Sequence, residues 1–96
     1  SYIDYSGLKS HIVKKIPQYG KHPTMLINDV DAVSSVIIER SGIRYSNIES
    51  CPAIFVTTNY SLVRESNLFL RYPVYSMRIN PIMSDIDITT ILWSMG

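Results

Sequence analysis

Ninety-six residues, 46% hydrophobic and 18% charged, make one folded domain at most and exclude a disordered chain. Nine basic residues against eight acidic ones leave a net charge of +1, which excludes a global basic footprint for nucleic acid but not a local patch. The single cysteine, Cys51, excludes an internal disulfide, and no apolar run nears the ~20 residues of a bilayer span, so a cytoplasmic protein with no membrane partner is expected.

From Ser6 to Ile16, the residues Leu8, Ile12, Val13 and Ile16 share one helical face, and Pro17 ends the helix they predict. Lys14 and Lys15 in its last turn complement the negative end of the helix dipole. Gln18 to Pro23 reads as a loop because of Gly20 and Pro23. His11 and His22 flank Pro17 without the further ligands that a tetrahedral metal site needs.

The next helix is predicted to begin with Asn28 as N-cap and Asp31 as the capping-box acid. Ala32, Val33, Val36, Ile37 and Arg40 follow on one face until Gly42 stops it. Ser46-Asn47-Ile48-Glu49 repeats the capping signal and predicts a single turn before Cys51 and Pro52.

The stretch from Cys51 to Leu70 organises the chain. Ala53, Ile54, Phe55 and Val56 form an unbroken apolar run, which predicts a central strand over 53–58 covered on both faces. Leu62, Val63, Ser66, Phe69 and Leu70 then predict a helix beginning near Tyr60. Val74 to Ile79 reads as a strand interrupted by Pro81, with Ile82 and Met83 the last residues of an edge strand. Ser84-Asp85-Ile86-Asp87 opens a final helix with Ile88, Ile91, Leu92 and Met95, in which Trp93 is expected to pack. Two or three strands are few for a sheet with a central member, so the remaining strands are expected from a longer chain or from other copies of this one.

Thr57, Thr58 and Asn59 fall at the carboxyl end of the predicted strand, where open α/β sheets place their ligands. Oxygen ligands also gather at the other junctions, in Asp29, Asp31, Asp85 and Asp87. Mg²⁺ or Mn²⁺ takes such ligands and assists phosphodiester hydrolysis. Each of these residues has a rival role as a helix cap or first-turn acid. Asp29 shares a helical face with Val33 and Val36 and is the preferred metal ligand. Cys51, with no histidine beside it, reads as a small buried hydrophobe.

The order Asn28-Asp29-Val30-Asp31-Ala32-Val33, then a helix, then Ala53-Ile54-Phe55-Val56-Thr57-Thr58-Asn59-Tyr60-Ser61-Leu62, resembles the carboxyl-terminal half of a PIN-like nuclease domain. Pro81 to Asp87 with Leu92-Trp93 resembles the closing strand and helix of an uncharacterised bacterial PIN-like group. The resemblance implies an α/β fold, a partial three-layer α/β/α domain with a short, mostly parallel sheet, residues 1–96 being the carboxyl-terminal part of a longer protein. It implies metal-dependent cleavage of RNA, with Asp29 as catalytic acid, Asp29, Asp31 and Asn59 around Mg²⁺ or Mn²⁺, and Thr57 and Thr58 on the substrate. The chain departs from the pattern in having no acid at the end of an opening strand, and in offering neutral Asn59 as a ligand. The rival from a different class is a catalytically inactive interaction or regulatory module, in which the same acids are caps and apolar faces bind another chain. A receiver-like or nucleotide-binding fold is disfavoured by the lack of a glycine-rich loop.

Overall fold

The computed structural model describes residues 2–73 and 79–95. It is a mixed α/β arrangement in which four helices surround a parallel pair of strands: α1 (Tyr5–Lys15), a 3₁₀ turn (Pro17–Lys21), α2 (Pro23–Glu39), β1 (Phe55–Thr57), α3 (Tyr60–Phe69), β2 (Ile82–Ser84) and α4 (Asp85–Met95). Among the described residues no helix is long and apolar enough to cross a membrane.

Helix α1 starts where Asp4 Oδ1 accepts the Gly7 N–H at 2.9 Å. Gly7 has to be small, since a Cβ there would lie 2.2 Å from Asp4 Oδ2 and 2.9 Å from the Phe69 ring. The predicted face is the buried one: Leu8, Ile12 and Ile16 join Tyr19, Leu26, Val30, Val33, Leu62, Val63 and Ile82 in one core, with Val13 packed against it.

Helix α2 corrects the sequence reading. It begins at Pro23, not Asn28, because proline at the first helical position gives up an N–H that would have no partner there and presets the helical φ. Gln18 to Pro23 is correspondingly a 3₁₀ turn running into a helix rather than an open loop. Asn28, Asp29 and Asp31 therefore lie inside the helix, and neither Asn28 nor Asp31 caps it. The helix ends as a Schellman turn, with Ser41 N–H on Ile38 O at 2.9 Å and Gly42 N–H on Ile37 O at 3.1 Å. Ser41 and Gly42 both take positive φ, 53° and 70°.

The next residue the fold turns on is Arg40, 1% exposed. Its Nε donates to Ala53 O at 2.8 Å, Nη1 to Ile79 O at 2.7 Å and Nη2 to Asn80 O at 3.0 Å. One guanidinium thus joins the end of α2 to the segments entering both strands. In the connecting loop, the turn before Cys51 is held by Asn47, whose Oδ1 accepts the Ser50 N–H at 3.0 Å, rather than by Ser46.

Strand β1 is shorter than predicted and pairs in parallel with β2, Phe55 opposite Ile82 and Thr57 opposite Ser84. Its coverage on both faces is not observed. Val56 is 44% exposed, and among the described residues β1 has one partner strand. Ile82 and Met83, expected at an edge, are instead buried along with the rest of β2. The predicted strand 74–79 falls outside the described residues except for Ile79, which bridges Tyr45 in antiparallel sense. Helix α3 starts and ends close to the prediction and buries Leu62, Val63, Ser66 and Asn67. The capping signal at Ser84 also holds, its Oγ accepting the Asp87 N–H at 3.0 Å. Trp93 does not pack: it is 82% exposed, and no residue of α4 is buried.

Arg40→Met keeps the aliphatic stem but strips three carbonyls of their donor, those of Ile79 and Asn80 buried and that of Ala53 half-buried. It should lower the unfolding free energy by about 2–4 kcal/mol in urea melts, at an unchanged m-value.

Candidate functional site

The carboxyl end of β1 turns into α3 through a chain of local hydrogen bonds. Thr57 Oγ1 accepts the Asn59 N–H at 3.1 Å, and Asn59 Oδ1 caps α3 by accepting the Leu62 N–H at 3.1 Å. With its oxygen so used, the Asn59 amide presents its nitrogen outward from the cap, and Nδ2 donates to the Tyr19 hydroxyl at 2.9 Å. That hydroxyl in turn donates to Asp29 Oδ2 at 2.6 Å. Asp29 and Asn59, thirty residues apart, therefore meet on a single phenol at the carboxyl end of the strand.

Tyr19 was not identified from the sequence. Its ring is 1% exposed and belongs to the core, and the 3₁₀ turn after Pro17 is what carries it there. A lone tyrosine between breakers has no local signature of a contact ten residues away in α2. Burial is the main cause that raises the Tyr19 pKa, followed by the hydrogen bond to Asp29 and the charge of Asp29; the bond from Asn59 works the other way.

Asp31 is not brought to this cluster. Two residues along a helix place it about 200° around from Asp29, and its Oδ1 accepts from the Tyr5 hydroxyl of α1. Thr57 is half-buried with its hydroxyl engaged, whereas Thr58 is exposed. Asp85 lies just past the Thr57–Ser84 register pair and accepts from Tyr60 Oη at 3.0 Å, linking the starts of α3 and α4. Of the histidines, His11 pairs with Glu65 at 3.1 Å and His22 is exposed.

Magnesium or manganese needs several oxygen donors converging on one point. Here Asp29 offers Oδ1, while its Oδ2 holds Tyr19; the Asn59 oxygen is spent on the cap, and Asp31 is on another face. No group of three His, Cys, Asp or Glu side chains among the described residues could hold a metal ion. These residues do not by themselves fit a divalent-metal centre.

No protein-family model, no curated protein and no solved structure matches the chain.

Tyr19→Phe retains the ring and removes the hydroxyl shared by Asp29 and Asn59. It should cost about 1–3 kcal/mol at neutral pH, because a half-buried carboxylate loses its donor. Since folding raises the Tyr19 pKa, its contribution is complete below the ordinary tyrosine value of 10.0 and is lost as pH rises beyond it. Urea midpoints measured on either side of pH 10 should therefore fall more steeply for the wild type than for Tyr19→Phe.

Proposed function

We propose that the chain carries part of a PIN-like nuclease site acting on RNA, with Asp29 as its acid and the completing carboxylates supplied by a second copy or by further polypeptide. The observation that carries this reading is the meeting of Asp29 and Asn59 at the carboxyl end of β1, the end at which open α/β sheets bind ligands. The sequence singles out both from positions far apart in the chain, Asp29 by its helical face and Asn59 by its place after the strand, and the PIN-like resemblance points to the same pair. Further strands of a three-layer α/β/α domain would extend the sheet at the edge of β1 that has no partner among the described residues, and a further layer would cover its half-exposed face. Thr57 and Thr58, at the same end, would line the approach of the substrate. The mid-helix position of Asp29 departs from the family pattern of an acid opening a helix, and a bound Mg²⁺ or Mn²⁺ requires ligands beyond those described here.

A second reading, a catalytically inactive interaction module, is favoured by α4. Ile86, Leu92, Trp93 and Met95 are 59%, 53%, 82% and 49% exposed on a helix with no charged residue after Asp87. Large apolar side chains gathered in the open on one helix mark a surface for a partner.

Titration with Mn²⁺ separates the two. On the assembly that includes the completing copy or polypeptide, the nuclease reading expects paramagnetic broadening centred on the amides near Asp29 and Asn59, abolished by Asp29→Asn; broadening absent from that region there would leave the interaction module as the better account. In the chain alone, Trp93→Ser should change stability by less than about 0.5 kcal/mol, since its ring has little packing to lose; a larger loss in a thermal melt would show that α4 packs within the chain.

A further inference from the structure

The charges of the chain are segregated. All four lysines, Lys9, Lys14, Lys15 and Lys21, lie between Tyr5 and Asn28, a stretch with two histidines and no acid, whereas the rest of the chain holds five basic against eight acidic residues. The fold gathers Lys14 and Lys15, in the last turn of α1, with Lys21 and His22 at the end of the 3₁₀ turn that follows, all exposed. Among the described residues the ion pairs are His11–Glu65 and Arg64–Glu65, so none of these lysines is neutralised from within. The helix dipole accounts for one or two cations at the end of α1. It gives no reason for Lys21.

The same five-residue turn that displays Lys21 outward sends Tyr19 inward to Asp29 and Asn59. Helix α1 runs antiparallel to α3, Gly7 lying by Phe69 and His11 by Glu65, so its last turn points toward the start of α3 at the carboxyl end of β1. Tyr60, next to Asn59 and 51% exposed, adds an aromatic face at that end. Unpaired lysines and an exposed ring on one end of a protein are elements with which single-stranded nucleic acid is held, phosphates on the cations and a base on the ring, although here the Tyr60 hydroxyl is held by Asp85. An anionic membrane is less suited to the corner, because the apolar face of α1 is already buried in the core and has nothing to insert.

We infer that the corner formed by Lys14, Lys15, Lys21 and His22 binds the phosphate backbone of single-stranded nucleic acid and leads the strand toward Asp29. The inference rests on the nuclease reading for the direction of the strand; the segregation of charge does not depend on it.

Fluorescence anisotropy with a short fluorescein-labelled oligouridylate tests the surface without requiring cleavage. The chain should bind the strand at low salt and release it as salt rises. In the variant Lys14→Gln/Lys15→Gln/Lys21→Gln, the log–log salt slope should flatten by about 2 and low-salt affinity should drop about tenfold or more. Arg71→Gln, beyond the end of α3 opposite Asn59, should leave both nearly unchanged, and circular dichroism checks that each variant is folded. An unchanged slope in the triple variant, equal affinity for a duplex of the same length, or lysine-dependent binding to phosphatidylserine vesicles in place of the strand would each overturn the proposal. Binding that needs the lysines with no focused Mn²⁺ effect at Asp29 in the completed assembly would sustain the surface and sink the nuclease reading; the reverse pair of results would do the opposite.

Discussion

The buried guanidinium of Arg40 is the constraint on which the arrangement depends. Burial lowers its pKa, yet arginine stays cationic in proteins, so the charge has to be met by oxygen. Among the described residues no carboxylate is placed to do this. The carbonyls of Ala53, Ile79 and Asn80 serve instead, with the Tyr45 ring 5.7 Å from the guanidinium carbon. Two short parallel strands cannot hold a sheet by themselves, and these contacts fix their entrances relative to α2. The far end of the site follows from the same contacts. Asp29 stands eleven residues before Arg40, nearly in line on the helix face and about 16 Å along its axis. Asn59 stands six residues beyond Ala53, about 20 Å away if extended. Seating Arg40 at one end of the strands therefore brings Asp29 to the height of Asn59 at the other.

Three of the eight carboxylates in this chain are met by phenols. Tyr5 joins α1 to Asp31, Tyr19 joins the 3₁₀ turn to Asp29, and Tyr60 joins the start of α3 to Asp85. With seven tyrosines and few charged residues, the protein ties its elements together using neutral donors. Such a bond satisfies an acid without consuming a cation. That is how a chain of nearly zero net charge keeps a set of lysines free on one corner.

Much of the helical framework was legible because its signals are local. The spacing of Leu8, Ile12 and Ile16, the Asn59 cap and the Ser84 cap each act within a few residues, and each appears in the fold. The start of α2 was misread because Asn28 and Asp31 imitate a capping box. Nothing between Pro23 and Asn28 breaks a helix, and Leu26 joins the helical face of Val30 and Val33 only if it begins early. For β1 and β2, an apolar run reported on a strand but not on its neighbours, so the more buried of the two was taken for the edge. At the site, Asp29 is marked by its helical face and Asn59 by its place after the strand, with the family resemblance pointing to the same pair, whereas Tyr19 depends on a turn and a helix meeting in space, which no short spacing encodes.

Trp93 is the single tryptophan, and it stands in solvent on a helix that buries none of its residues. Its indole environment therefore changes little when the rest of the chain unfolds. Intrinsic tryptophan emission from this protein is for that reason a poor gauge of folding. It is a sensitive gauge of whether anything has come to cover α4, because a blue shift at constant helix content can arise only where the indole loses its water.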